Sequence, residues 1–330
     1  MKSLHPADPA IAVLLPCYNE EQTIGAVVRG FREALPQATI YVYDNNSTDL
    51  TALQARAGGA IVIREPRQGK GNVVRRMFAD IEADIYVMAD GDGTYDPQDA
   101  PQLINTLLTE RVDMVVGTRR GVTDDAGRAG HAFGNRIFNT LYQFLFGRDF
   151  TDIFSGYRVF SRRYVKSFPA VSGGFEIETE MSVHASALRI PVCEMPLDYG
   201  RRPEGSESKL STFRDGGKIL WMFAMLMKET RPARFFGALA ILSLAASAGF
   251  AAPVLYEYFT TGYVAKVPTW ILSIGLLMLS MIMMVAGLIL DSVARGRAEQ
   301  KRIHYLSHAP AQTIAKTAGE ADKHRSIRAA

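Results

Sequence analysis

Two uncharged runs near the C-terminal end constrain this chain most. No Asp, Glu, Lys or Arg interrupts Phe235 to Tyr256, and none interrupts Val267 to Leu290. A bilayer core takes roughly 20 apolar residues of helix, so both runs are predicted transmembrane helices. The competing reading is a pair of buried core helices, but soluble domains seldom carry uncharged stretches as long as Ile271 to Leu290. Lys228, Arg231 and Arg234 precede the first run, and Arg295, Arg297, Lys301 and Arg302 follow the second, while the connection from Glu257 to Lys266 holds one acid and one base. The positive-inside rule then places both ends of the chain in the cytoplasm. Met1 to Ala10 is polar and the apolar run Ile11 to Leu15 is too short for a signal-peptide core, so the N-terminal part is expected to stay inside the cell. Between Asp215 and Glu229, Ile219, Leu220, Met222, Phe223, Leu226 and Met227 lie among basic residues with Trp221 beside them. That pattern fits a helix in the membrane interface, or one packed on the chain's own core. The expected organisation is a cytosolic domain over 1–210, an interfacial region over 211–234, two spans over 235–290, and a polar tail over 291–330 that is disordered beyond Ser307.

The cytosolic part alternates short apolar runs with helical periodicity. Ile11–Leu15, Ile40–Tyr43, Ile61–Ile63, Ile85–Met88 and Met114–Val116 read as strands. Glu20–Ala34, Leu50–Ala57, Gly71–Ile81 and Ala100–Leu108 read as the helices between them. Alternation of this kind predicts an α/β fold with a mainly parallel sheet, helices on both faces, and ligands at the carboxyl ends of the strands. The 37 basic residues against 34 acidic ones leave a net charge of +3, which argues against a dedicated nucleic-acid binder. Cys17 and Cys193 are the only cysteines and are far apart, which excludes a disulfide framework and a cysteine zinc site.

The residues after each strand carry the chemistry. Pro16-Cys17-Tyr18-Asn19-Glu20-Glu21 follows the first strand and Asp44-Asn45-Asn46-Ser47-Thr48-Asp49 the second. Thr48 and Asp49 suit helix capping or ligand contact equally. Asp44, at the strand end, is expected to accept an N–H of a nucleotide base. After the fourth strand, Asp90-Gly91-Asp92 puts two carboxylates at i and i+2, on one side of an extended chain. Oxygen donors without His or Cys suit Mg²⁺ or Mn²⁺ completed by substrate phosphates, although a solvated acidic turn reads the same way. Arg64 to Lys70, then Gly71-Asn72, brings a basic glycine loop to a helix start, where free N–H groups and Lys70 can hold phosphate. It lacks the Walker pattern, and G-x-G-x-x-G is missing from the strand-to-helix turns. Arg119, Arg120, Arg128, Arg136, Arg158, Arg201, Arg202 and Lys209 gather between the acidic triplet and the spans. Two to four of them are expected to grip substrate phosphate. Glu178 either orients a sugar or caps its helix, and His131 and His184 are read as structural.

Val13-Leu14-Leu15-Pro16-Cys17-Tyr18-Asn19-Glu20, the Asp44 loop, Gly69-Lys70-Gly71-Asn72, Asp90-Gly91-Asp92-Gly93, Gly117-Thr118-Arg119, Asp152-Ile153-Phe154-Ser155-Gly156-Tyr157-Arg158 and Gly174-Phe175-Glu176-Ile177-Glu178 form an ordered set. The set resembles family 2 glycosyltransferases, and within them the dolichyl-phosphate mannose synthase type, over about residues 11 to 234. The resemblance implies a GT-A, Rossmann-like domain in which Pro16, Tyr18, Asn19, Glu20 and Asp44 surround the nucleotide and Asp90 and Asp92 meet ribose and metal. It implies Arg119, Ser155 and Arg158 at an acceptor phosphate, together with Arg128 or Arg136. The family's R-x-x-x-S pattern is broken at that last point, since Ala132 stands four residues after Arg128. Arg202 and Lys209 lie in a segment that resembles R-x-x-G-E-S-K-L lengthened by one residue, which points to a subgroup apart from the mannose synthases.

The expected function is inverting transfer of a hexose from a nucleotide sugar, a UDP-sugar in preference to GDP-mannose, onto a polyprenyl phosphate at the inner membrane. The expected partners are the nucleotide sugar, the lipid and the bilayer, with no nucleic acid, and self-association into a homo-oligomer stays open. A processive polysaccharide synthase is the alternative enzyme, but Trp221 follows Leu220 and Trp270 follows Thr269, so its Q-x-x-R-W element is missing. A catalytically inactive membrane scaffold is the alternative from another class, and the presence of Asp44, Lys70, Asp90 and Asp92 speaks against it.

Overall fold

The computed structural model describes residues 9–120, 129–174, 176–200 and 212–311, with the side chains of 129–136, 212–216, 218 and 219 outside that description. The expected alternation becomes β1 (Ile11–Cys17), α1 (Ile24–Ala34), β2 (Thr39–Asp44), α2 (Thr51–Ala57), β3 (Ile61–Arg64), α3 (Lys70–Asp80), β4 (Ile85–Met88), α4 (Ala100–Thr109) and β5 (Met114–Arg120). There follow α5 (Ala129–Phe146), β6 (Arg158–Ser161), α6 (Arg162–Ser167), α7 (Ile177–Leu188), β7 (Val192–Asp198), α8 (Thr212–Thr230), α9 (Pro232–Thr261) and α10 (Val267–Leu306). Helix α1 starts at Ile24 rather than Glu20, because the Glu20 carbonyl accepts from the N–H of Thr23 (3.1 Å) and of Ile24 (3.0 Å) in a turn.

Among the described residues one sheet runs β3-β2-β1-β4-β6-β5-β7. β1 to β4 are mutually parallel where they pair, and β7 is parallel to β5. Only β6 runs antiparallel, to both β4 and β5. Central β1 tolerates Pro16, which has no N–H to give, because its pairing with β4 ends at Leu14 opposite Met88, two residues earlier. Val13, Leu15, Val28, Phe31, Val87, Leu103 and Leu107 are buried together in the core. Full burial of one such side chain is worth about 1.5–3 kcal/mol, so the apolar alternation fixes which sheet face α1 and α4 cover.

The chain divides into two compact units, residues 1–217 with 301–330, and residues 218–300. In the second unit α9 and α10 are long and apolar enough to cross a membrane, and only 17% of each one's most apolar window is buried. Core helices would bury most of that surface, so the span reading is favoured over the core reading. The two helices are stitched by hydroxyl groups: Ser243 donates to the Leu276 carbonyl (2.9 Å), Ser247 to that of Ser273 (2.6 Å) and Ser280 to that of Ala240 (2.8 Å). Small polar side chains serve apolar helix pairs in this way because hydrocarbon offers them no other partner.

The segment after the spans is anchored at its start. It belongs to the first unit, where the Tyr305 hydroxyl donates to Asp113 (2.6 Å), an Arg302 Nη1 donates to the Leu188 carbonyl (3.3 Å), and Ala311 is buried in the core. Asp113 is fully buried and also accepts from Ser161 (2.6 Å) and, in a fork, from Arg163 (both 2.5 Å). A buried carboxylate thus holds Tyr305, just ahead of Ser307, beyond which the tail is expected to be disordered. Residues 312–330 lie outside the described residues.

Candidate active site

The loops after β1 and β2 are zipped together. Asn19 adopts a left-handed φ of 52°. Its N–H donates to the Ser47 hydroxyl (2.9 Å) and its Oδ1 accepts from the Thr48 N–H (2.9 Å). The Glu20 N–H donates to Thr51 Oγ1 (2.7 Å). Pro16, Tyr18, Asn19, Glu20 and Asp44 are thereby brought to one strand edge, where Cys17 pairs with Asp44. Asp44 is buried, and its Oδ1 accepts from the Ser47 N–H (3.1 Å). Its Oδ2 accepts from no donor among the described residues, which leaves one acceptor for a ligand N–H. Asp49 accepts from the Thr51 N–H (3.0 Å) and hydroxyl (2.5 Å) in the turn that leads into α2, whose N-cap position is Leu50.

The glycine loop before α3 is not an open phosphate nest. The Gly71 N–H donates to the Gly174 carbonyl (3.1 Å) and the Gly69 N–H to Asn45 Oδ1 (2.7 Å). A Cβ on Gly71 would stand 2.1 Å from the Ser172 carbonyl oxygen, so this glycine admits the 170–174 loop rather than a ligand. That loop is pinned from two sides. Arg75 donates to the carbonyls of Ala170 (2.6 Å) and Val171 (2.7 Å), and Glu180 accepts from the N–H groups of Val171 (2.9 Å) and Ser172 (2.7 Å). Lys70 is buried with its ammonium held between Asp90 (2.5 Å) and Glu178. Burial works against the charged form, but the two carboxylates prevail and raise the Lys70 pKa above its ordinary value. Glu178, in the first turn of α7, is buried. Its Oε1 meets Lys70, while Oε2 is buried with no hydrogen-bond partner among the described residues. Burial raises its carboxyl above the usual range, with Lys70 pulling the other way.

Asp90 and Asp92 follow β4 at the same edge. Gly91 is required there, since a Cβ would stand 2.5 Å from Cys17 Sγ. The Gly91 carbonyl accepts from the Thr23 hydroxyl (2.7 Å). Asp92 is buried and its Oδ1 accepts from the Thr94 N–H (3.1 Å) and hydroxyl (2.7 Å). Across the cluster, a Cβ on Gly156 would lie 2.6 Å from Asp90 Oδ2, so the Ser155-Gly156 turn packs directly on the Asp90 carboxylate. Among the described residues no three His, Cys, Asp or Glu side chains form a closed metal cage. The donor set still fits a hard cation. Two carboxylates two residues apart, beside a buried Glu178 oxygen that lacks a donor, match ions that take one or two carboxylates and draw their other ligands from phosphate and water.

Arg119, at the end of β5, meets the same loop through Asp152. Its Nε and Nη2 fork the two Asp152 oxygens (both 2.8 Å), and its guanidinium sits over the Tyr199 ring at 5.6 Å. Two sequence expectations need correction here. Ser155 is fully buried with its hydroxyl donated to the Gly117 carbonyl (2.5 Å). Arg158 is fully buried too, donating to the carbonyls of Ser155 (2.9 Å) and Ile153 (2.9 Å) and to the Ser182 hydroxyl (3.1 Å). Neither can reach an acceptor phosphate, and both brace the 153–158 loop from within. Arg128, Arg202 and Lys209 lie outside the described residues, as does the Arg136 side chain. His184 is buried beside Tyr164 and Phe168, and burial pushes its pKa down to about 3, so it is a neutral core residue. Asp152 is the residue that sequence reasoning passed over, although it opens the D-I-F-S-G-Y-R run.

The sequence profile of Glycosyl transferase family 2 matches residues 12–168. Glycosyltransferase AglJ of Haloferax volcanii is 36% identical over 304 residues, covering 91% of this chain and 99% of that protein. The dolichyl-phosphate hexose transferase of the same organism is 27% identical, covering 63% of this chain and 90% of that protein. Among solved structures, glucosyl-3-phosphoglycerate synthase from Mycobacterium tuberculosis, in complex with Mn²⁺, UDP and glucosyl-3-phosphoglycerate, superposes with a TM-score of 0.53. That likeness carries 26% identity and covers 67% of this chain and 79% of that one. The strand order described above is thus a GT-A-like fold.

Proposed function

We propose that this chain, which belongs to glycosyl transferase family 2, moves a hexose from a nucleotide sugar onto a membrane polyprenyl phosphate, inverting the anomeric carbon. The observation that carries the reading is that one short loop meets both Asp90, through Gly156, and Arg119, through Asp152, so that the Asp90–Lys70–Glu178 cluster and the Arg119 fork share that loop. The name of the dolichyl-phosphate hexose transferase supports the lipid acceptor, and the Mn²⁺ and UDP of the solved synthase support a metal-bound UDP-sugar donor over GDP-mannose. Asp44 accepts an N–H of the base, with Tyr18, Asn19 and Glu20 around it. Asp90 and Asp92 hold Mg²⁺ or Mn²⁺, which when bound neutralises the charge of the departing diphosphate.

The acceptor supplies its own nucleophile. A phosphate monoester has a second pKa near 6, so at neutral pH it is a dianion and needs no protein base. The protein's task is to place that oxygen behind the anomeric carbon and to balance charge. Arg119 presents its remaining N–H groups to the phosphate, assisted by Arg128 or Arg136 and by Arg202 and Lys209. Lys70 keeps two carboxylates ordered beside the donor. The two spans hold the chain in the inner membrane with the catalytic domain and both termini in the cytoplasm, the face where nucleotide sugars are made. Purified full-length protein, given radiolabelled UDP- and GDP-sugars, undecaprenyl phosphate and Mn²⁺, is expected to form a lipid-linked sugar that EDTA abolishes. Failure to form lipid product with every common donor would overturn the reading.

A further inference from the structure

We propose that Asp152 is the positioning residue that makes Arg119 an acceptor-phosphate ligand, an inference that rests on the reading of Arg119 given above. The Arg119 side chain is 14% exposed and that of Asp152 13%, so each is too buried to be left with an unpaired charge. Asp152 takes the Nε and Nη2 edge of the guanidinium and also accepts from the Arg119 backbone N–H (3.2 Å). With the Tyr199 ring beneath the plane, the fork is fixed in position and in rotation. Nη1 makes no hydrogen bond to the protein among the described residues, which leaves the outer edge of the guanidinium to donate to an anion.

Asp152 is itself held rigidly. The Thr151 N–H and hydroxyl donate to Glu194 of β7 (2.8 and 2.7 Å), and so does the Asp152 N–H (3.2 Å). The Ile153 N–H donates to Asn139 of α5 (3.2 Å), and the Phe154 N–H returns to Asp152 Oδ1 (3.2 Å). Burial works to raise the Asp152 carboxyl, but the hydrogen bonds and charge of Arg119 prevail and hold it below the ordinary carboxylate value. It is therefore ionised, and the fork intact, throughout the range in which a lipid phosphate is a dianion. The next four residues carry the Gly156 turn that packs on Asp90, so the same short loop sets the Arg119 fork and borders the donor carboxylates.

The test uses the full-length protein in detergent with undecaprenyl phosphate and the donor selected by the panel above. Asp152→Ala is expected to raise the KM for undecaprenyl phosphate about tenfold, roughly the worth of one charge-assisted hydrogen bond, with the donor KM within about twofold of wild type. Asp152→Asn keeps one acceptor and is expected to fall between the two, which also guards against a variant that fails to fold. The double variant Asp152→Ala with Arg119→Ala is expected to be no worse than Arg119→Ala alone, because Asp152 acts only through Arg119. Additive losses in the double variant, or an unchanged acceptor KM in both Asp152 variants while Arg119→Ala is impaired, overturn the proposal. An unchanged acceptor KM in Arg119→Ala instead overturns the reading of Arg119 on which the proposal stands.

Discussion

Lys70 shares one ammonium between Asp90 and Glu178, and all three side chains are largely withdrawn from water. Removing the cation leaves two carboxylates facing each other, and breaking a buried pair from one side costs about 3–5 kcal/mol. Lys70→Met is therefore expected to lower the melting temperature of the detergent-solubilised protein markedly, and a melt within a degree of wild type would contradict the pairing. Glu178 gives a pH signature of defined sign. Burial raises its folded-state pKa above the ordinary 4.5. A carboxyl raised in this way binds its proton more tightly in the folded state, so its contribution favours folding at low pH and is lost as pH climbs through the folded pKa. Glu178→Gln does not titrate, so its stability relative to wild type is expected to improve as pH rises from 4.5 towards neutrality. Melting curves at acid and neutral pH check this, and a pH-independent offset between the two proteins would count against it.

The strands and helices up to β5 were legible because each is a local pattern: an apolar run, then a 3.6-residue period, then a polar turn. So was the gathering of Asp44, Asp90 and the Tyr18 loop, since parallel strands end on the same side. What escaped was non-local. β6 is four residues long and runs against its neighbours, and nothing within Arg158–Ser161 announces its direction. The Gly69-Lys70-Gly71 loop has the composition of a phosphate nest, but the groups that fill it come from Ser172 to Gly174, about a hundred residues later. Arg158 looked like a phosphate ligand because no sequence pattern separates an exposed guanidinium from one that ties down carbonyls. The glycine finding is testable at the level of the element. Gly71→Ala places a Cβ where the Ser172 carbonyl lies 2.1 Å away, against backbone that cannot swing aside. Overpacking of this kind costs about 1–3 kcal/mol. Faster limited proteolysis within residues 170–174 is the expected readout, and an unaltered cleavage rate would refute the close approach.

For the molecule as a whole, the charge pattern around α9 and α10 predicts that their connection faces away from the cytoplasm. With Cys17 and Cys193 replaced by Ser, a cysteine introduced by Thr260→Cys is expected to react with a membrane-impermeant maleimide in intact cells. Labelling only after lysis would reverse the orientation. The docked C-terminal segment makes a second prediction at this scale. Tyr305→Phe deletes one of the donors to a fully buried Asp113, and leaving a buried acceptor short costs about 1–3 kcal/mol, read as a fall in melting temperature.

Chain continuity gives that segment a meaning beyond stability. The polypeptide leaves the first unit at Gly217 and rejoins it from Lys301 onward, so that unit is built from two stretches of chain with the apolar helices between them. On the proposed reading, encounters with a lipid headgroup become a search in the plane of the bilayer, which raises the local abundance of acceptor without any added contact.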